Sequence, residues 1–370
     1  MKHLMLAATA ATAIAAPLAA KELTISTWNA PSHPTQWAGW EPMIPAITEA
    51  TNGELTFKIV GGGALMGAKE TLQGLGDGIA DASILALTYH PSDLPTAQIV
   101  AELTMQSGDA LAVSAAVTEF ILTACEPCLA EFDANNVVYT GNYATAPYAL
   151  ISKEPITTPE GLKGKRVRTP GAAWDRFVTE SGGTVVHTAS AEMYEALDKG
   201  IIDVAMQPAA SLKTYSLWDV ASDITLGGYG VYNAGPLLSF NKDSWADLTP
   251  EERRAILDAI PEALIATTEG YLNQNEEAEE IAGEHGMEVI VAPEALETWL
   301  TEFNDRDVDT IIAQAGDTYG VENAGEIAGA YREILKKWTD RTEGGMGRDE
   351  IVATLKSEVF DQLDENAYGL

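Results

Sequence analysis

Leu23-Thr24-Ile25-Ser26-Thr27-Trp28 alternates apolar and polar side chains, the period-two pattern of a strand with one face in a core. Asn29-Ala30-Pro31-Ser32-His33-Pro34 breaks that pattern. Trp37, Trp40, Ile44 and Ile47 then recur three or four apart, as on one helical face, until Asn52-Gly53 stops the helix. Both tryptophans are expected in the core. Residues 55–60 form a second strand. Gly61-Gly62-Gly63 turns the chain toward a helix carrying Leu72, Leu75 and Ile79. Residues 82–87 are almost wholly apolar and read as a third strand buried on both faces. Strand, helix, strand, helix, strand implies right-handed crossovers and a parallel sheet. Ligands of such sheets sit beyond the carboxyl ends of the strands. Those ends are Asn29-Ala30 and Thr88-Tyr89-His90; His90, in a loop, is expected in solvent.

A second set of the same kind begins near residue 146. Tyr148-Ala149-Leu150-Ile151-Ser152 reads as a strand, and Lys165-Arg166-Val167-Arg168 as a short one leading to Thr169-Pro170-Gly171. Trp174, Phe177 and Val178 mark a helix ended by Gly182-Gly183. Strands at 184–186 and 201–206 flank a helix capped by Ser190. Thr249-Pro250-Glu251-Glu252 is a strong helix start, with a capping Thr and Pro just inside. The helical stretch runs to about His285, and Pro261 is expected to kink or split it. The remainder, to Leu370, is mostly helical and acidic. With no linker between the two sets, the chain is expected to cross between them more than once.

The ends and the composition narrow the class. Lys2-His3, an apolar Ala-rich run to Ala16 and small residues up to Ala20 have the order of a secretory signal, cleaved after Ala20 or Ala19. The alternative, a buried N-terminal helix, would show a polar face. No Cys follows the run, so it offers no lipid attachment point. The remaining length exceeds what one core usually supports, so two lobes are expected. The 22 Lys+Arg stand against 55 Asp+Glu, a net charge of −33. Such a surface repels nucleic acid and anionic membranes.

Cys125-Glu126-Pro127-Cys128 follows Phe120-Ile121-Leu122 at a helix end. In an exported protein a local disulfide is the simpler reading; a redox dithiol would follow a strand and open a helix. Zinc lacks a second ligand pair. No Gly-x-Ser-x-Gly, His-Glu-x-x-His or phosphate-cradling Gly-x-x-x-x-Gly-Lys occurs, so no enzyme, metal or cofactor is expected.

Several segments together resemble the DctP-type solute receptors of TRAP transporters. They are Gly53-Glu-Leu-Thr-Phe57, Gly61-Gly-Gly-Ala-Leu-Met-Gly67, the stretch from Leu72 to Asp81, and Gly161-Leu-Lys-Gly-Lys-Arg-Val-Arg168. Further on come Glu195-Ala-Leu-Asp-Lys-Gly-Ile-Ile-Asp203, Phe240-Asn-Lys-Asp-Ser-Trp245 and Leu248-Thr-Pro-Glu-Glu252. Each is weak alone; their shared order extends to about residue 335. The resemblance implies a two-lobed periplasmic-binding-protein clamshell of α/β type. Each lobe would be a mostly parallel sheet flanked by helices, with a long helix bridging both. Lobe I would comprise 21–146 plus about 235–270, lobe II 147–234 plus about 271–335, and 336–370 a C-terminal helical extension after the signal at 1–20. It also implies a periplasmic receptor that hands a small organic acid to integral-membrane TRAP permease subunits, acting as a monomer or weak dimer. A receptor for another transporter type, or a secreted hydrolase, is the alternative.

The family's carboxylate-binding arginine maps onto Arg168. Independently, a guanidinium offers a planar fork for two parallel hydrogen bonds and stays charged at any relevant pH. Arg166 is expected in a structural salt bridge. Gln207 stands where the family often has a ligand-binding Asn. Gly141-Asn-Tyr-Ala-Thr-Ala-Pro-Tyr148 lacks the second basic residue of many such receptors, which favours a ligand with one carboxylate. Trp174, Tyr89 and Tyr232 are expected to cover its apolar body; Trp28 is divided between that role and core packing. Asn29 and Thr88 would supply polar contacts from lobe I, and Asn233 a position at the hinge.

Overall fold

The computed structural model describes residues 20–233 and 235–370, so the signal at 1–20 lies, apart from Ala20, outside the described residues. One sheet runs, edge to edge, Leu55–Val60, Lys21–Ser26, Ala82–Ser83, Ser239–Asn241, Val137–Val138. Its first three strands are parallel, as the alternating pattern requires. Ser239–Asn241 returns from far along the chain and pairs antiparallel with both neighbours. The second sheet runs Glu288–Val291, Asp223–Val231, Pro147–Ser152, Val204–Pro208, Arg166–Arg168, Thr184–Val186. Here Pro147–Ser152 is antiparallel to both neighbours and the other pairs are parallel. The two-lobed α/β architecture is the expected one, but returning strands make both sheets mixed.

The third strand is shorter than expected. Only Ala82 and Ser83 pair, and Leu87–Tyr89 curls into a short 3₁₀ turn. Ile84 and Leu85 are fully buried all the same. An apolar run reports burial, not membership of a ladder. The curl brings Tyr89 to the space between the lobes.

Three connections join the lobes. Residues 141–147 cross beside 231–233 and 235–237. Asn142–Tyr143 pairs with Gly235–Pro236, and Thr145 N–H donates to the Tyr232 carbonyl at 3.0 Å. Gly230 sits at this crossing with φ +74°; a Cβ there would lie 2.5 Å from both Met105 Cα and the Thr104 carbonyl oxygen. Only glycine fits both the dihedral and the space. The third connection is the helix Pro250–Ile281, started by a reciprocal box between Thr249 and Glu252. It packs on Glu41–Ala50 and Ala110–Glu119 in lobe I and on Ala210–Thr214 in lobe II. The helix is not split at Pro261. An internal proline costs about 3 kcal/mol, and here the buried neighbours Ile260, Leu264 and Ile265 hold the helix against it.

Several further expectations are corrected. Ala324–Glu343 packs on Ala110–Glu119 and Pro95–Glu102, so residues 324–335 belong with lobe I rather than lobe II. The extension beyond 336 folds back on lobe I: Arg348–Glu358 packs along the bridging helix, and the Tyr368 hydroxyl donates to the Tyr139 carbonyl at 2.5 Å. Trp40 is buried, but Trp37 is 40% exposed. Thr35–Trp40 is π-wound, and its wider turn rotates residues three apart off a common face. Cys125 and Cys128 are joined in a disulfide and buried. The pair both follows one helix and caps the next, Glu126–Ala134, with Cys128 N–H donating to Cys125 Sγ at 3.2 Å. Among the described residues no single helix is long and apolar enough to cross a membrane.

Arg253 ties the tail to the bridging helix. Its buried guanidinium donates to the carbonyls of Leu248 (2.6 Å), Glu365 (2.7 Å) and Trp245 (3.3 Å). Arg253→Ala is expected to lower the unfolding free energy by about 2–4 kcal/mol in urea titration, because buried carbonyls lose their donors along with packing. A loss below about 0.5 kcal/mol would show that the tail is not held this way.

Candidate functional site

Arg166 and Arg168 point to the same face of one strand, a pleat apart. Arg166 meets solvent and forms a bidentate pair with Asp203, at 2.9 and 2.7 Å. That contact draws the Asp203 carboxyl below its usual range. Arg168, at the strand's carboxyl end, is fully buried. Its Nε donates to the Thr188 carbonyl at 3.0 Å and Nη1 to the Met206 carbonyl at 3.3 Å. Its Nη2 donates to the Tyr89 hydroxyl, from lobe I, at 3.1 Å. No ion pair joins Arg168 to an acid among the described residues. Of a guanidinium's five N–H groups, these three bonds leave one on each terminal nitrogen.

Arg168 lines a cavity between the lobes, beyond the strand ends. It leaves about 50 Å³ for the centre of a water-sized sphere. Six of the protein's twelve tyrosines line it: Tyr89, Tyr143, Tyr148, Tyr215, Tyr232 and Tyr271. Burial raises the hydroxyl pKa of Tyr148, Tyr232 and Tyr271, and that of Tyr215 to about 12, so all four stay neutral. Tyr148 and Tyr232 form a near-parallel pile with Trp174, whose Nε1 donates to the Tyr229 carbonyl at 2.9 Å. Tyr143 stacks on Tyr271 at 5.8 Å. The wall is therefore flat, apolar on its faces and polar at its hydroxyl tips. Arg168 is the only Lys or Arg among the described residues lining it, and no Asp or Glu lines it.

On the lobe I side, His33 is buried and burial pulls its imidazole down to about 3. Thr35 N–H points at Nδ1 from 3.3 Å, so Nδ1 is the acceptor. The proton then sits on Nε2 and is donated to the Tyr271 hydroxyl at 2.7 Å.

The residues expected from sequence divide into two groups. Arg168, Gln207, Asn29, Tyr89, Tyr232 and Trp28 all line the cavity. Gln207 Oε1 accepts from Ser211 Oγ at 3.2 Å. Trp174 does not line it; it backs Tyr148. Thr88 lies outside, in a wider cleft of about 330 Å³ that shares Tyr89 and Pro170 with the cavity. Its Oγ1 is 3.2 Å from the Tyr232 hydroxyl. A Cβ on Gly171 would come within 2.9 Å of Thr88, so the lobes touch closely there. Asn233 turns into lobe I, where Nδ2 donates to the Val100 carbonyl at 2.9 Å. His90, expected in solvent, is buried away from the cavity. Sequence reading missed His33, Tyr143, Tyr148, Thr145, Ser190, Tyr215 and Tyr271 as cavity residues. Tyr143 and Tyr148 were in view in the stretch 141–148, which was read for charge and not for its rings.

The chain belongs to family 7 of the bacterial extracellular solute-binding proteins, DctP, whose model matches residues 25–314. A solute-binding protein of Albidiferax ferrireducens is 23% identical over 188 residues, covering 50% of this chain and 54% of that one. The ectoine-binding periplasmic protein TeaA of Halomonas elongata is 25% identical over 212 residues, covering 55% and 58%. The matches thus span little more than half the length of these two relatives. In structure, the chain is similar to a TRAP solute-binding protein of Rhodoferax ferrireducens in complex with copurified benzoate. The TM-score is 0.76 at 20% identity, covering 87% of this chain and 99% of that one.

The neutral, buried His33 gives stability a pH dependence. Its pKa is lower folded than unfolded, so between about 6.5 and 3 the unfolded chain binds more protons. Stability should therefore fall as pH drops below about 6.5, by up to about 1.4 kcal/mol per unit from this residue. In thermal melts from pH 7 to pH 5, His33→Gln should lose less stability than the wild type. Parallel losses would mean that His33 is not held neutral.

Proposed function

We propose that the protein is the extracytoplasmic receptor of a TRAP-type secondary transporter. It takes up a small organic monocarboxylate in the periplasm by lobe closure and delivers it to the membrane permease subunits. The observation that carries this reading is Arg168: a buried guanidinium at the cavity wall with no acid partner, and with one N–H left on each terminal nitrogen. Two donors side by side match the two oxygens of a carboxylate. Gln207, from the neighbouring strand, adds an amide; with Oε1 bonded to Ser211, its Nε2 can donate to the same group.

The rest of the wall supports the choice of a single charge. No second cation is there to pair with a second carboxylate, and an unpaired buried charge is strongly disfavoured. The tyrosine faces suit a flat or apolar body. Benzoate, bound by the Rhodoferax protein, and ectoine, bound by TeaA, each carry one carboxylate.

Closure does two things here. It brings Arg168 and Gln207 of lobe II against Asn29 and Tyr89 of lobe I, and it excludes water, which strengthens the ion pair. A ligand touching both lobes shifts the open–closed balance by its added contacts in the closed form. Arg176 of lobe II supports the closed arrangement: it is paired with Glu102 of lobe I and with Asp307 on Glu294–Tyr319, all three largely buried.

Acids found by thermal-shift screening, benzoate among them, would be followed by calorimetry. Arg168→Ala should weaken binding at least about 100-fold in a protein that circular dichroism shows to be folded. Arg168→Lys should fall between the two, because the charge remains and the fork is lost. An unchanged Kd in a folded Arg168→Ala protein would remove this site from consideration.

A further inference from the structure

We infer that the lobe I wall reads a neutral hydrogen-bond donor on the body of the acid, with Asn29 Oδ1 as the acceptor. The ligand class is then a monocarboxylate bearing a hydroxyl or N–H group. This rests on the Arg168 reading above and refines it.

Asn29 lines the cavity and is 2% exposed. Its Oδ1 is buried and has no hydrogen-bond partner among the described residues. Such an acceptor is unfavourable unless something donates to it. Its neighbours fix which way the amide faces. His33 Nδ1 already accepts from Thr35 N–H at 3.3 Å and lies 2.7 Å from Thr35 Oγ1, which donates to it. Thr35 Oγ1 thus presents lone pairs toward Asn29, with Nδ2 3.5 Å away, and His33 Nδ1, 3.4 Å from Nδ2, carries no proton to offer an oxygen. Turning the amide over would set oxygen against both acceptors. Oδ1 is therefore the atom left to the ligand. The donor it meets is neutral, because no carboxylate lines the cavity to pair with an ammonium group.

A site built to accept from a ligand hydroxyl discriminates against the analogue lacking it, because its own polar atom is then stranded. The test uses two matched pairs, 3-hydroxybenzoate with benzoate and 4-hydroxybutyrate with butyrate, in calorimetry. In at least one pair the hydroxy acid should bind the wild type about tenfold tighter or more. In Asn29→Leu that preference should fall to near unity, the hydroxy acid losing more affinity than the plain acid, with circular dichroism reporting an intact fold. Should circular dichroism show Asn29→Leu unfolded, Asn29→Ala is read in the same way. Equal affinities within both pairs in the wild type overturn the inference, as does a preference that survives the substitution. Both results leave the Arg168 reading standing. If none of the four acids binds, this inference is overturned and the Arg168 reading is decided by the screened acids; if Arg168→Ala binds its acids as the wild type does, the Arg168 reading fails and this one falls with it.

Discussion

A guanidinium taken out of water among neutral oxygens is an unfinished interaction. A guanidinium stays protonated in proteins. Two backbone carbonyls and a tyrosine hydroxyl offset part of the desolvation of Arg168. They supply dipoles and not a counter-charge, and a buried cation without one is costly. An acid in the wall would have stabilised the lobe and closed the site to anions. The missing partner is thus what makes an anionic visitor favourable. Arg166, on the same face of the same strand, differs: its Nε and Nη2 already pair with the Asp203 carboxylate.

The chain's path divides the surroundings of Arg168 between the two lobes. The cavity wall is divided between lobes that are joined by two side-by-side crossing segments and one long helix. Gly230 lets one crossing pass against Met105 with no side chain in the way. The rings are held from behind: Trp174 braces Tyr148, and Tyr143 leans on Tyr271 of the bridging helix. A ligand therefore meets surfaces whose side chains are already fixed, and less conformational freedom is lost on binding. The Arg176 cluster adds a second buried contact between the lobes, away from the cavity.

Much of this was legible in the sequence. The first parallel strands and the capped start of the long helix follow from periodicity and caps; that the helix bridges the lobes and that Arg168 is the arginine of interest are implied by the family resemblance. What was not legible depends on long-range geometry. Asn233 lies at the crossing as its position suggests, yet its side chain faces Val100. Trp174 is close to Arg168 in sequence but one layer behind the wall. Tyr215 and Tyr271 sit on or just after helices whose local pattern says nothing of a cavity; only the crossing of the bridging helix brings Tyr271 to His33. Trp37 failed because its helix is wound more widely than the period assumed for it.

The exterior and the site follow different rules, and the difference bears on selectivity. A net charge of −33 sets a repulsive field for anions, but charges in solvent are screened beyond about 8 Å at physiological salt. Within the closed cavity screening is weak, so a contact with Arg168 outweighs a distant carboxylate on the surface. The site therefore needs no positive patch. On the proposed reading, one guanidinium among neutral tyrosines and a neutral histidine is enough to favour an anion in the interior. The same economy sets the limit on the ligand. A second negative charge would meet only dipoles, so the second contact is left to hydrogen bonding, where an unpaired oxygen such as that of Asn29 can decide which acid is held.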